Sequence, residues 1–216
     1  MARRGDTLRE HILEVAKNVF LESGFERTSM DTLAARAETS KRSLYAHFPT
    51  KDALFLAVID RVHDLFRGRM RTPDHYAGDP AEAAALFCGR FLQMLGWAPI
   101  LQTCRMGITE AERLPEAAAQ LHQAFFGTTT DRLAAYLSAQ YGLDAAEGEV
   151  LAAQLLGMTV YPTFPRALFG IGELRGTLPD EASIEADVDM TAIRRATDSV
   201  LLRRSDTNVA GKLTSP

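Results

Sequence analysis

The sequence predicts an all-α protein, and two observations carry that prediction. Apolar residues recur three and four positions apart through most of the chain, as in the series Leu54, Val58 and Val62. No segment shows the sustained alternation of apolar and polar residues that is typical of a half-buried strand. The chain is 46% hydrophobic and 24% charged, which supplies enough apolar side chains for a packed core.

Four helices are predicted in the first third of the chain. The first ends at Gly24, a residue type that often follows a helix. Two short helices follow at about residues 31–37 and 40–48, and Pro49 ends the second of them. A longer amphipathic helix comes next. The residues that could cap the last three helices are Thr28 or Ser29, Thr39 or Ser40, and Thr50.

A polar, turn-rich stretch at residues 71–80 marks a predicted junction, and residues 170–183 are predicted to form a loop. Further helices are predicted at about 81–97, 99–113, 115–141, 145–168 and 184–204. The predicted domains are an N-terminal three-helix domain (1–50), a helical second domain (51–204) and a disordered tail (205–216). The fourth helix would link the two domains as the only covalent route between them.

Composition and charge favour a cytoplasmic protein. The start of the chain lacks the apolar stretch of a secretory signal, and no uncharged run is long enough for a membrane span. Two cysteines, Cys88 and Cys104, do not suggest a disulfide framework. The net charge is −4, but residues 1–71 are net basic, which is compatible with local binding to phosphate.

Residues 28–51 form two short helices joined by a tight turn, which is the helix-turn-helix arrangement. In the second short helix, Leu44 and Phe48 should face the core, while Lys41, Arg42 and Tyr45 lie on another face. Such a basic, hydroxyl-bearing face suits the major groove of DNA. A merely solvated helix face remains an equal alternative, because periodicity locates a face without showing what it contacts.

The segment from about Leu8 to Val62 resembles the DNA-binding domain of TetR-type regulators. The resemblance rests on these elements: Gly24-Phe25, Thr28, Leu33-Ala34, Ala37, Ser40, Leu44-Tyr45, His47-Phe48, Lys51 and Leu54. It implies that the third helix enters the major groove of a palindromic duplex. The implied base readers are Lys41, Arg42 and Ser43. The implied phosphate contacts are Thr28, Ser40, Tyr45, His47 and Lys51, and Thr39 in the turn completes the predicted DNA-binding set.

The chain departs from the TetR pattern at the turn and on the reading face. Glu38-Thr39 stands where family members usually carry Gly-Val, and Arg42 stands where a small residue is usual. A left-handed residue other than glycine in the turn would cost about 1 kcal/mol. Glu38 also places a negative charge near the DNA, and Arg42 should alter the operator that is recognised.

The second domain resembles TetR effector domains more loosely, through residues 105–118. The resemblance implies a small-molecule pocket between its helices, suited to an apolar or amphipathic ligand. The candidate ligand-binding residues are Phe91, Met94, Trp97, Arg105, Met106, Glu110, Phe125, Phe126, Met158, Tyr161 and Phe164. Aromatic and methionine residues at helical spacing are also ordinary core residues, and Arg105 and Glu110 could equally pair with each other or face water. Pro162 and Pro165 could kink their helix and open space beside it.

A homodimer is expected, because one reading helix contacts only a few base pairs. The last two long helices carry apolar stripes that could form a four-helix interface between two copies. The proposed interface residues are Leu151, Leu155, Met158, Val188, Ile193, Val200 and Leu201.

The sequence predicts a regulator and not an enzyme. It contains no nucleotide-binding glycine motif, no nucleophile elbow and no metal-ligand spacing, so no catalytic residue, cofactor or metal is assigned. A redox switch at Cys88 and Cys104 is an alternative to inert buried thiols, which are favoured. A DNA-binding factor without ligand control, or an activator, also remains open at this point.

Overall fold

A computed structural model describes the backbone of residues 4–161 and 163–212 and the side chains of residues 5–161 and 163–201. The regular structure in these ranges is helical, and one isolated β-bridge joins Trp97 to Arg175. In chain order the helices are α1 (Arg4–Ser23), α2 (Met30–Arg36), α3 (Lys41–His47), α4 (Lys51–Arg69), α5 (Pro80–Leu95), α6 (Ala98–Thr109), α7 (Pro115–His122), α8 (Thr128–Tyr141), α9 (Ala145–Val160), α10 (Thr163–Leu168), α11 (Ile184–Asp187) and α12 (Met190–Lys212). The all-α prediction is confirmed. No helix in the described ranges is long and apolar enough to cross a membrane.

Contacts divide the chain into two compact units that do not follow the predicted boundaries. The first unit contains the chain up to Phe66 together with Gln102–His122, and the second contains Arg67–Leu101 and the chain from Gln123 onward. The chain therefore passes between the units three times: within α4, within α6, and directly after α7. The prediction that the fourth helix is the only covalent route between the two parts is therefore wrong, because the chain also crosses within α6 and after α7.

The first unit is built on an aromatic core. Phe20, Phe25 and Phe55 are each at most 1% exposed, and their ring centroids lie 4.8–5.6 Å apart. The three rings come from α1, from the loop after it and from α4, so they fix the ends of α1 and α4 around α2 and α3. Burial of three phenylalanines contributes several kcal/mol at about 1.5–3 kcal/mol each. This core is the support on which the helix-turn-helix segment rests.

The second unit surrounds α5. This helix is buried on nearly every face and packs against α8, α9 and α12. Gly89 of α5 allows close packing, because a Cβ there would lie 2.4 Å from the sulfur of Met190. The unit therefore has a central helix, which explains why the α5 segment is apolar all round.

A buried polar network joins α5 to the loop before α11. The guanidinium of Arg90, a residue only 2% exposed, donates to Gln93 Oε1 and to the carbonyl of Pro179 at 3.1 Å. The amide of Gln93 donates to Asp187 Oδ2 at 2.6 Å, and Asp187 also pairs with Arg175. Burial alone would raise the pKa of Asp187, but hydrogen bonds from Arg175, Gln93 and Ser183 hold that pKa below its usual value. The network fixes the irregular segment that was predicted to be a loop.

Several helix boundaries differ from the prediction for identifiable reasons. The predicted helix 115–141 contains a π-helical turn at Gln123–Gly127, where one extra residue is inserted between α7 and α8. The predicted helix 145–168 ends at Val160, because Tyr161 precedes a proline and is extended; Pro162 itself lies outside the described residues. The predicted helix 184–204 breaks at Val188, and Asp189 accepts from the amide of Ala192 to start α12.

The last helix runs further than predicted. Residues 205–216 were predicted to be a disordered tail, but the backbone is helical to Lys212. No proline interrupts the sequence from Met190 to this point, so nothing local stops the helix. Residues 213–216 lie outside the described residues.

Five of the seven residues predicted to form a dimer interface face the protein's own core instead, whereas Met158 is 47% exposed and Val188 is half-buried. Leu151 and Leu155 are 3% and 1% exposed, and Ile193, Val200 and Leu201 are also buried within one chain. Helix α9 is apolar on both sides, so periodicity could not distinguish its inner from its outer face. The outer face of α9 consists of Val150, Ala153, Gln154, Gly157, Met158 and Tyr161.

Candidate nucleic-acid interface

Two serine caps define the helix-turn-helix segment. Ser29 Oγ accepts from the amide of Thr32 at 3.0 Å and begins α2, and Ser40 Oγ accepts from the amide of Ser43 at 3.0 Å and begins α3. Both are among the caps that the sequence predicted. Helix α3 ends before Pro49, again as predicted.

Helix α3 presents the face that the sequence predicted. Leu44 is fully buried and Phe48 is 3% exposed, so these two side chains anchor the helix to the core. Lys41 and Arg42 are exposed, and Tyr45 is 47% exposed despite its large ring. The outward face therefore combines two cations with a phenol, all on a helix that is held in place from behind.

The two cations of this face differ in their surroundings. Lys41 Nζ lies 2.6 Å from Asp31 Oδ2 on α2, whereas Arg42 has no ion-pair partner among the described residues. Both members of the Lys41–Asp31 pair are more than 60% exposed, and such pairs contribute only about 0–1 kcal/mol. A phosphate or a guanine edge can therefore replace Asp31 as the partner of Lys41 at little cost.

Two predicted phosphate contacts are structural residues instead. Thr28 is 2% exposed, and its hydroxyl donates to the carbonyl of Gly24 at 2.8 Å. The ammonium of Lys51 donates to the carbonyls of Phe25 and Thr28, each at 3.0 Å, and lies 4.1 Å from the centroid of the Phe25 ring. These contacts stabilise the loop between α1 and α2. For Lys51 the local sequence gave no signal, because its partners lie more than 20 residues away, whereas Thr28 bonds to a carbonyl only four residues earlier.

The remaining predicted DNA-binding side chains lie at the ends of α3. Ser40 and Ser43 hydrogen-bond to each other through their hydroxyls at 2.9 Å, so both sit at the N-terminus of the helix. His47 is half-buried in its last turn, and Thr39 is half-buried in the preceding turn. Backbone N–H groups at a helix N-terminus favour an anion, which adds to the basic character of this end.

The turn between α2 and α3 keeps its left-handed geometry without glycine. Glu38 has a φ of 48°, and it is the one non-glycine residue with positive φ in the described ranges. The amide of Thr39 donates to the carbonyl of Ala34 at 3.0 Å, which closes the turn. The departure from the TetR pattern is therefore tolerated by the backbone, at the energetic cost of a left-handed β-carbon.

Replacing Glu38 by glycine should stabilise the protein by about 1 kcal/mol, because glycine adopts positive φ without steric penalty. Chemical denaturation followed by circular dichroism measures this change. Glu38→Gln is the matched control, since it removes the charge and keeps the strain. Equal stability of the glycine and glutamine variants would show that backbone strain at this position is negligible.

Arg113 is a residue of the first unit that the sequence analysis did not single out. Its guanidinium lies 3.0 Å from Glu110, 3.2 Å from Asp52 and 3.2 Å from Glu26. Its Cζ atom also lies 4.4 Å from the centroid of the Phe25 ring. Glu110, which could have paired with Arg105 or a ligand, is paired with Arg113 instead. The spacing of three residues between Glu110 and Arg113 was the sequence signal that could have predicted this ion pair. Arg113 connects the segment after α6 to α4 and to the loop after α1.

The candidate ligand-binding residues separate between the two units. Arg105, Met106 and Glu110 belong to the first unit, where they line a cleft of about 420 Å³ beside the end of α1. In the second unit Phe126 contacts Phe91 and Phe164, with ring centroids 5.7 and 5.6 Å apart. Met94 and Phe125 are fully buried core residues. The predicted ligand-binding residues therefore do not line a single pocket.

Three candidate residues of the second unit lie close to a groove of about 550 Å³. Met158 and Tyr161 line it, and Trp97 adjoins its lining residue Gly96 and is bridged to Arg175. The indole N–H of Trp97 is buried and has no hydrogen-bond partner among the described residues. A buried donor without an acceptor is uncommon and calls for an explanation.

Both cysteines are buried thiols. Burial raises the pKa of both Cys88 and Cys104 to about 12, so neither is a thiolate at neutral pH. The two thiols are free and belong to different units. Within the residues that the structure describes, no three His, Cys, Asp or Glu side chains are grouped so that they could hold a metal ion.

Comparison with known families places both parts of the chain. A family described as "Bacterial regulatory proteins, tetR family" matches residues 12–58, and one described as "AefR-like transcriptional repressor, C-terminal domain" matches residues 82–197. The chain belongs to the TetR family. The DNA-binding match of this TetR-family regulator covers most of α1, all of α2 and α3 and the start of α4, and the second match extends from α5 into α12.

Individual relatives agree with the family assignment. The chain is 32% identical over 168 residues to the transcriptional activator FasR of Mycolicibacterium smegmatis, covering 73% of this chain and 74% of that protein. The solved structure of a flavonoid-responsive regulator, FrrA, is 26% identical with a TM-score of 0.70, covering 90% of this chain and 96% of the other. A TetR-family regulator from Mesorhizobium loti shares the fold with a TM-score of 0.73 at 20% identity, covering 93% and 98% of the two chains. This TetR-family chain is therefore a transcriptional regulator, and DNA binding is implied.

Proposed function

We propose that the protein is a repressor that binds a palindromic DNA site through the outward face of α3 and releases it when a small molecule binds. The observation that carries the DNA-binding role is this face itself, where Lys41, Arg42 and Tyr45 are exposed while Leu44 and Phe48 are buried behind them. Lys41, Arg42 and Ser43 would contact base edges in the major groove. Thr39, Ser40, Tyr45 and His47 would contact phosphates and fix the register.

A homodimer is part of this proposal, because two reading helices are needed for a palindrome. The outer face of α9 supports it. Val150 is 65% exposed and Met158 is 47% exposed on α9, and Tyr161, the residue that follows the helix, is 70% exposed. Small residues at Ala153 and Gly157 lie between them, which allows a second helix to approach closely.

Control by a small molecule rests on the second unit. The aromatic cluster of Phe91, Phe126 and Phe164 and the unpaired indole N–H of Trp97 are suited to an apolar or amphipathic effector that carries a hydrogen-bond acceptor. FrrA is described as flavonoid-responsive, so flavonoids are a rational first class of probe. In this proposal residues 1–50 read DNA and residues 51–204 sense the ligand and dimerise, although 51–66 and 102–122 pack within the first unit. The protein would act in the cytoplasm.

Repression is the preferred direction of control, since the C-terminal match is to a repressor family. Activation is the second candidate, because FasR is described as an activator and covers most of the chain. A reporter gene placed behind the selected DNA site distinguishes the two. Repression predicts higher expression when the regulator is deleted, and activation predicts lower expression.

Selection of bound duplexes from a random pool tests the DNA-binding role. We expect one enriched palindromic sequence, bound with an affinity that falls steeply with salt because phosphate contacts release counterions. A pool that yields no common sequence would contradict the proposal.

Titration of a flavonoid with and without the selected DNA tests ligand control. Linkage requires that an inducer bind more weakly to the DNA complex, by the same factor by which it weakens DNA binding. This coupling is typically about 1–3 kcal/mol. Equal affinity in the two titrations would exclude that compound as an effector.

A further inference from the structure

The end of α10 presents a large apolar side chain to solvent in an ordered position. Phe169 is 85% exposed, the highest value among the exposed large hydrophobic residues of the described chain. The segment is not loose: the amide of Gly170 donates to the carbonyl of Ala167 at 3.0 Å, and that of Ile171 donates to Arg166 at 2.9 Å. With Gly170 at a φ of 77°, these bonds form a Schellman-type helix end. Phe169 is not isolated, because Tyr161 and Ile171 are 70% and 50% exposed and line the groove beside it, and a group of exposed apolar side chains indicates a partner surface.

A groove lies beside this residue in the second unit. It has a volume of about 550 Å³, and its apolar lining residues include Leu92, Met158, Ile171, Leu174, Val188 and Ile193. Ala167 and Ile171, on either side of Phe169, belong to the lining, but Phe169 does not. A cavity of roughly 150 Å³ already accommodates a benzene ring. The groove therefore has room for an aromatic side chain that its own chain does not supply.

The groove is continuous with the outer face of α9. Met158 and Tyr161 belong to both surfaces, so a second copy that covers this face also meets the groove. In a two-fold dimer every contact is made twice, with the same residues in exchanged roles. A side chain that projects from the rim of one groove is then available to the other.

We propose that Phe169 of each subunit inserts into the groove of the other subunit, so that the dimer exchanges two aromatic side chains. This inference rests on the homodimer of the proposed function and specifies a contact beyond the α9 faces. It explains why an ordered phenylalanine is exposed in one chain. It also explains why a groove that is partly lined by apolar side chains lies open next to it.

Sedimentation of the full-length chain tests the exchange. Phe169→Ser should raise the dimer dissociation constant at least tenfold, without loss of folding, because the side chain contacts little within its own subunit. Ile108→Ser is the matched control, since Ile108 is 64% exposed but belongs to the first unit and is expected to leave dimerisation unchanged. A dissociation constant for Phe169→Ser within twofold of wild type would overturn the inference.

A photo-crosslink locates the contact directly. With p-benzoylphenylalanine at position 169, a mixture of isotope-labelled and unlabelled subunits should yield peptide pairs of mixed label that join residue 169 to residues 92–96 or 188–193. Crosslinks confined to a single subunit would overturn the exchange. The same experiments separate this inference from the proposed homodimer. A wild-type dimer without the crosslink would contradict the exchange and leave the homodimer standing, whereas a monomeric wild type would contradict both.

Discussion

Replacement of Arg90 by alanine is expected to destabilise the second unit by about 3–5 kcal/mol, because it removes charge-assisted hydrogen bonds and a large buried side chain together. The guanidinium donates to Gln93, to the carbonyl of Pro179 and to that of Arg69 at 3.4 Å. Its loss leaves Gln93 Oε1 and the Pro179 carbonyl buried without this donor, and each such group costs about 1–3 kcal/mol. The missing side chain also leaves a cavity beside α5.

Denaturant unfolding followed by Trp97 fluorescence measures this effect, because Trp97 is the sole tryptophan and belongs to the second unit. Arg90→Met is the matched variant, since it keeps most of the volume and removes the donors. We expect Arg90→Met to lie between wild type and Arg90→Ala. If both variants unfold at the wild-type denaturant concentration, the network does not stabilise this unit.

Much of the fold could be predicted from the sequence because local signals agreed with one another. The serines before α2 and α3 mark helix starts through their side-chain oxygens, and the glycine after α1 and the proline after α3 mark helix ends through their backbone conformation. Leu44 and Phe48 were assigned to the core by their spacing of four, and both are buried. These features depend on neighbours within one or two turns, so a single sequence contains them.

The features that could not be predicted depend on distant partners. Lys51 has the charge expected of a phosphate contact, but carbonyls more than 20 positions earlier bind its ammonium. Leu151 and Val150 are adjacent and equally apolar, and only the packing of α9 shows that one is core and the other is surface. Arg90 received no assignment from its local sequence, because only the packing of α5 in the centre of the second unit shows that this arginine is buried.

Removal of a cation from the outer face of α3 should weaken specific DNA binding. Arg42→Ala and Lys41→Ala are each expected to cost about 1–3 kcal/mol at the selected site, because a good contact to a base edge is worth that much. The loss of affinity for Lys41→Ala should be the smaller of the two, because Lys41 must break its ion pair with Asp31 before it can contact DNA. Fluorescence anisotropy with a labelled duplex measures both affinities.

Arg195→Ala is the charge-matched control for these variants. Arg195 is exposed on α12 in the second unit, so its removal changes the net charge equally without altering the reading face. We expect its affinity for the selected site to equal that of wild type. A loss comparable to that of Arg42→Ala would mean that net charge, and not the α3 face, governs binding.

The most direct test of base reading by α3 is the affinity of wild type and Arg42→Ala for the selected site and for every single base-pair variant of one half-site. We predict one or two positions at which a substitution costs the wild type about 1–3 kcal/mol and costs Arg42→Ala almost nothing. All other positions should keep the same profile in both proteins. Identical profiles at every base pair, with only a uniform loss of affinity, would contradict the claim that this helix reads the sequence.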